Sequence, residues 1–194
     1  MVSQTSDNAR DMLAISPYNK VALPKLPGGR GPIQIFDTTL RDGEQAPGIA
    51  LSPDDKVKIA EVLDDFGVDY IEAGFAVSSD IERETITRIM DAGMHATVLS
   101  LARSVQRDID AVADTGVKYV HTFIGTSPLH RDYKLKMTKE QVIEKAVQAV
   151  EYARSRGLEV QFSCEDATRT ELDYMIEVYK AVVDAGACAI NVPD

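Results

Sequence analysis

The stretch from Asp37 to Gly48, DTTLRDGEQAPG, is dense in side chains able to do chemistry: Asp37, Thr38, Arg41, Asp42, Glu44 and Gln45. Arg41 and Asp42 stand side by side before Gly43, which has no side chain to keep a ligand off the backbone. A carboxylate oxygen is a hard ligand for a divalent cation, and a guanidinium can grip a carboxylate through two parallel bonds. Taken alone, the same trio also describes a turn closed by a local ion pair. Further along come Glu72 and Gly74, then His121, Thr126, Ser127 and His130, then Ser163, Glu165, Asp166 and Arg169. Each group follows a short apolar run.

That placement recurs with a rhythm. From Ile33 onward an apolar run, a polar loop, an amphipathic stretch and a Gly repeat, as in successive βα units. Strands are predicted at Ile33–Phe36, from Tyr70 and Ile71, and at Ala96–Leu101, Tyr119–Ile124, Leu158–Ser163 and Cys188–Val192. The first helix has Ser52 as cap, Pro53 in its first position, Gly67 as left-handed stop, and Ile59, Val62, Leu63 and Phe66 as its apolar stripe. Ser79 with Glu82 reads as a capping box for a second helix ending near Gly93, and a third spans Ser104–Thr115. Thr138 with Gln141 opens a fourth, whose apolar face includes Val142, Ala146 and Val150; a fifth presents Leu172, Met175, Ile176, Tyr179 and Val183.

Strands joined by right-handed helical crossovers run parallel. The loop after the first strand lacks the G-x-G-x-x-G turn of an open dinucleotide-binding sheet, so a barrel is favoured. About six strands are visible where a closed barrel has eight. The expected fold is therefore α/β, a partial (β/α)8 TIM barrel over residues 31–194, preceded by an irregular extension at 1–30. Its first and sixth strands are expected to be open edges beside an uncovered apolar interior. In a parallel barrel the loops after the strands converge on one face, where the polar groups above can meet around one substrate.

Composition narrows the classes. The chain has 194 residues, 44% hydrophobic and 27% charged, enough to bury a sizeable core. A net charge of −10 repels nucleic-acid phosphate, although a local Arg or a metal can still hold a small anion. Two cysteines, Cys164 and Cys188, do not make a disulfide scaffold and suit a reducing cytoplasmic compartment. No apolar run is long enough for a spanning helix and no signal peptide is evident, so neither membrane nor secretion is expected. Cys164 is expected to be an inert packing thiol, and the basic run from His130 to Lys139 a solvated loop, though it would also suit phosphates.

Five blocks, DTTLRDGEQAPG, IEAGF at 71–75, HTFIGTSPLH at 121–130, FSCEDATRTE at 162–171 and INVPD at 190–194, together resemble the 2-isopropylmalate synthase family and its homocitrate and citramalate synthase relatives. The resemblance covers an N-terminal portion only. It implies an acyltransferase that condenses acetyl-CoA with a 2-oxo acid on a metal-dependent TIM barrel, with 2-oxoisovalerate favoured and a place in leucine biosynthesis. Homocitrate or citramalate synthesis, a 3-hydroxyacyl-CoA lyase of the same superfamily, and a non-catalytic truncated fragment are the alternatives. By the resemblance Asp42 is a ligand of a divalent metal (Mg, Mn or Zn), and Arg41 and Glu165 are catalytic. Arg41 steadies charge on the keto oxygen, while Glu165 orients groups or moves a proton. Gln45, Glu72 and His121 line the substrate site. The implied partners are the 2-oxo acid and acetyl-CoA, with no nucleic acid or membrane, and the full-length enzyme is expected to be a cytoplasmic homodimer. From strand adjacency, Glu72 points inward, where a buried carboxylate needs a cation such as Arg41. The family's H-x-H metal pair is not matched by His95, His121 or His130, so weak or absent metal binding and no activity are expected of this chain alone.

Overall fold

The computed structural model describes residues 33–193; the extension expected at 1–30 and Asp194 lie outside them. Among the described residues six strands alternate with five α-helices. In chain order they are β1 (Phe36–Asp37), α1 (Pro53–Phe66), β2 (Tyr70–Glu72), α2 (Asp80–Asp91), β3 (Thr97–Arg103) and α3 (Gln106–Ala113). The second half comprises β4 (Tyr119–Gly125), α4 (Lys139–Ser155), β5 (Glu159–Glu165), α5 (Leu172–Asp184) and β6 (Ala189–Asn191). A π-helical turn, His130–Leu135, precedes α4. All pairings are parallel and the sheet order is the chain order, β1 to β6. The sheet curls into half of a barrel with the helices outside, the partial TIM architecture expected from the sequence.

Local chemistry accounts for most element ends. Ser52 accepts from the Asp55 N–H, and the Asp55 carboxylate reaches back to the Ser52 N–H, with Pro53 pre-set for the first turn. Gly67 ends α1 at φ 89°, a backbone state that costs a side-chain-bearing residue energy. Thr138 and Gln141 form the full reciprocal box. The box expected at Ser79 is half formed: Ser79 accepts from the Glu82 N–H, but the Glu82 carboxylate turns away to Lys56. Helix α3 begins at Gln106, because the Ser104 hydroxyl donates to the Phe123 carbonyl at 2.8 Å and keeps that residue with the sheet. No helix among the described residues is long and apolar enough to cross a membrane.

The core lies between the sheet and the helices, where Ile71, Ile86, Ile109, Val120, Val160 and Phe162 are fully buried. Each such side chain contributes about 1.5–3 kcal/mol. Two expected stripes are corrected. Helix α1 turns Lys56 and Ala60 inward and leaves Val62 67% and Phe66 79% exposed. Helix α5 buries Tyr174, Val178, Tyr179 and Val182, while Leu172, Ile176 and Val183 stay outside. Both helices flank the ends of the sheet, so each has, among the described residues, a helical neighbour on one side only, and a stripe wide enough for two neighbours is half uncovered there.

Candidate active site

The loop after β1 is wound tightly: the Thr38 carbonyl accepts from the N–H groups of Arg41, Asp42 and Gly43 at 3.1, 2.8 and 3.2 Å. This puts Arg41 and Asp42 on one turn above the strand ends. Asp37 is spent locally, accepting from the Thr39 N–H at 2.9 Å. Glu44 is also structural. It meets Lys56 at 2.6 Å, and Lys56, only 2% exposed, is held on its other side by Glu82. Gly74 makes room for that clamp, since a Cβ there would collide with the Glu82 carboxylate.

Arg41 donates from Nε to Glu72 Oε2 and from Nη1 to Asp42 Oδ1, both at 2.6 Å. The expected contact between Arg41 and Glu72 is therefore made. Glu72 ends β2 with its side chain wholly buried, and an isolated carboxylate there would be costly, so the guanidinium is what keeps it tolerable. Its second oxygen, Oε1, lies 2.6 Å from His121 Nδ1. His121 Nε2 lies 2.6 Å from Ser163 Oγ, and Asn191 Nδ2 donates to that same oxygen at 3.0 Å. With the His121 proton on Nδ1 and the lone pair on Nε2, donation runs one way, from Asn191 through Ser163 and His121 to Glu72. Asp42 is the most exposed member, its side chain 60% open.

A cleft of about 400 Å³ opens over this chain of bonds. Arg41, Asp42, Gln45, His121 and Glu165 all line it, joined by Leu101, Phe123, Ser163, Asn191 and Pro193. A second cavity, about 450 Å³, shares Arg41 and His121 and is walled by Phe36, Tyr70 and Tyr119. The convergent acidic and basic groups are in the first, which we take as the candidate site.

Glu165 is the last residue of β5, and both its oxygens accept from Lys134 Nζ, at 2.8 and 2.7 Å. The solvated loop expected from His130 to Lys139 is corrected here. Its first half is the π-helical turn, anchored by buried Arg131, which donates to the Thr126 carbonyl at 2.5 Å and pairs with Glu171 at 3.0 and 3.1 Å. The His130 ring sits so close to Gly125 that a Cβ there would fall 2.6 Å from Nδ1. Asp166 pairs with Arg169 at 2.7 Å, and that guanidinium, ahead of the Ser127 hydroxyl, holds its carboxyl below the usual range. Neither Asp166 nor Arg169 lines the cleft. Cys164 is buried, and burial pushes its thiol up to about 11, which suits an inert packing group.

Among the described residues no three His, Cys, Asp or Glu side chains group as a metal shell. Asp42 fits as one hard oxygen donor at the lip of the cleft, and the remaining ligands of a divalent cation have to come from elsewhere. Sequence reasoning did not single out Asn191, Lys134, Leu101 or Phe123, and placed Ser163 only among the polar residues of its strand end. The available signal for Ser163 was its offset of two from Glu165, which puts both on one face of β5.

The chain matches the family described as HMGL-like over residues 32–194. It is 60% identical over 162 residues to the 2-isopropylmalate synthase of Methanocaldococcus jannaschii, and 54% identical over 162 residues to the probable 2-isopropylmalate synthase of Methanopyrus kandleri. Each alignment takes in 84% of this chain, yet the chain spans only 31% and 32% of those relatives. Among solved structures, the HMG-CoA lyase of Bacillus subtilis superposes with a TM-score of 0.70 at 18% identity, covering 84% of this chain and 58% of that one. The hydroxymethylglutaryl-CoA lyase of Pseudomonas aeruginosa does so at 0.68 and 21%, covering 84% and 57%. At such identities the likeness shows the fold alone.

Proposed function

The chain belongs to the HMGL-like family, and on that premise we propose that it carries the cleft of a 2-isopropylmalate synthase-like acyltransferase, joining the acetyl group of acetyl-CoA to a short branched 2-oxo acid. The observation that supports this best is the pairing of Arg41 with Asp42 at the cleft lip, with Arg41 locked from behind by Glu72. Arg41 uses Nε and Nη1 on its two carboxylates, and Nη2 remains for a substrate oxygen. When the acetyl carbon, having lost a proton, adds to the keto carbon, negative charge develops on the keto oxygen. A guanidinium already fixed in place stabilises that charge without reorganising. In this reading Glu165, held by Lys134, orients the acetyl group or moves its proton, and Leu101 and Phe123, which line the same cleft, give an apolar wall for a branched side chain. Water then cleaves the thioester and frees CoA.

A divalent cation on Asp42 would polarise the same keto oxygen as a Lewis acid. Its identity, and a cytoplasmic, homodimeric full-length enzyme, belong to the same proposal. The lyase alternative ranks lower, because the lyases share 18% and 21% identity against 60% and 54% for the synthases. The test is a steady-state assay of thiol release from acetyl-CoA, with residues 33–193 carried in a complete barrel, offering 2-oxoisovalerate, pyruvate and 2-oxoglutarate in turn. Release with 2-oxoisovalerate is the expected result. Release with neither it nor the other two acids would overturn the synthase reading.

A further inference from the structure

Behind the turn that carries Arg41 and Asp42, the ammonium of Lys56 joins two loops that β1 and β2 deliver separately. Lys56 stands in the first turn of α1 with its side chain buried. Its Nζ lies 2.6 Å from Glu44 Oε2, on the Gly43–Gln45 turn that follows Asp42, and donates to Glu82 Oε1 and Oε2 at 3.0 and 2.9 Å. Glu82 Oε1 also accepts from the Phe75 N–H at 3.2 Å, which ties down the loop after Glu72. Arg41, Glu44, Gln45 and Glu82 line one cavity of about 240 Å³, so the cluster abuts the guanidinium.

Local structure gives way to this cluster at three places. Glu82 leaves the capping box that Ser79 offers it, Gly74 lacks the side chain that would strike the Glu82 carboxylate, and Lys56 gives up nearly all contact with water. Stability alone is a poor reason for such an arrangement, because well-packed apolar side chains in place of buried ions often leave a fold equally stable. What directional, charge-assisted bonds add is a set separation between the two loops.

We propose that Lys56 is a positioning residue for the condensation. It acts through Glu44 on the turn that carries Asp42 and Gln45, and through Glu82 and Phe75 on the strand end that carries Glu72. One buried ammonium thereby sets both carboxylates that grip Arg41. The inference rests on the acyltransferase reading of Arg41, and adds to it a residue outside the lining of the cleft.

Steady-state kinetics of residues 33–193 carried in a complete barrel test the assignment, with the KM of each substrate read separately for 2-oxoisovalerate, or whichever of pyruvate and 2-oxoglutarate is turned over. Lys56→Met should raise the KM for the oxo acid by about tenfold and leave that for acetyl-CoA unchanged, as for a small displacement of a binding group. Loss of folded protein alone would lower kcat and move neither KM. Lys56→Arg, for which the adjoining cavity has room, should recover most of the loss. Melting curves report folding; should Lys56→Met not fold, Glu44→Gln, which keeps the pair of Lys56 with Glu82 and cuts only the tie to the turn, should still raise the oxo-acid KM alone. Unchanged KM values in a folded variant, an equal rise in both, or no recovery in Lys56→Arg would overturn the assignment while leaving the acyltransferase reading intact. An unsubstituted barrel that releases thiol with none of the three acids would overturn both.

Discussion

Glu72 serves two partners with one buried carboxylate, and that economy makes it vulnerable. Replacing it with Gln leaves Arg41 and His121 facing a group that carries no charge. The expected loss is about 3 kcal/mol of unfolding free energy, measured in urea, as for breaking a buried ion pair from one side. A loss under about 1 kcal/mol would mean that Glu72 is not what holds Arg41. Asp42 sits at the opposite extreme, because its side chain is largely open to water. Asp42→Ala should change stability by no more than about 0.5 kcal/mol while abolishing metal-dependent turnover in a complete barrel; retained turnover would remove Asp42 from the metal. The two cysteines should also separate. Iodoacetamide at neutral pH is expected to alkylate exposed Cys188 and spare Cys164, whose thiol stays protonated in its apolar surroundings. Mass spectrometry of the intact chain reads the outcome.

Between elements, the contact of Arg131 with Glu171 fastens the π-helical turn to the start of α5. Hydrogen bonding from Arg131 holds the Glu171 carboxyl down to about 2 from its ordinary 4.5. A carboxylate whose folded value is depressed adds stability above its unfolded value and loses it as pH falls toward the folded one. The melting temperature should therefore drop between about pH 4.5 and 2, and Arg131→Gln should flatten that part of the profile. The effect is small, because Glu171 is 45% exposed and water screens the pair. Parallel profiles for the two proteins would exclude this contact as the source. Element ends of this kind were legible where a local bond decides them, as at Ser52, Gly67 and Thr138. Which face of α1 turns inward was not. Val62 and Phe66 look like core residues until the position of α1 at the end of the sheet is known, and Lys56 looks like surface until its two carboxylates are placed. The site divides in the same way. Arg41, Asp42, Glu72 and His121 stand out by type and position, whereas Ser163 and Asn191 are ordinary strand residues until the pairing of β5 with β6 sets them opposite one another.

At the scale of the whole described unit, both ends of the sheet carry uncovered apolar surface. Val62 and Phe66 are exposed on α1, and Leu172, Ile176 and Val183 on α5, beside the unpaired edges of β1 and β6. Light scattering should show concentration-dependent association of the 194-residue chain, and Phe66→Glu together with Val183→Lys should reduce it. A monodisperse monomer at every concentration, binding no hydrophobic dye, would contradict this. The same sheet has a consequence in time. Because every strand pairs with the strand next to it in sequence, the structure can assemble in the order in which a ribosome releases it. Among the described residues, each strand after β1 then emerges beside a partner that is already built.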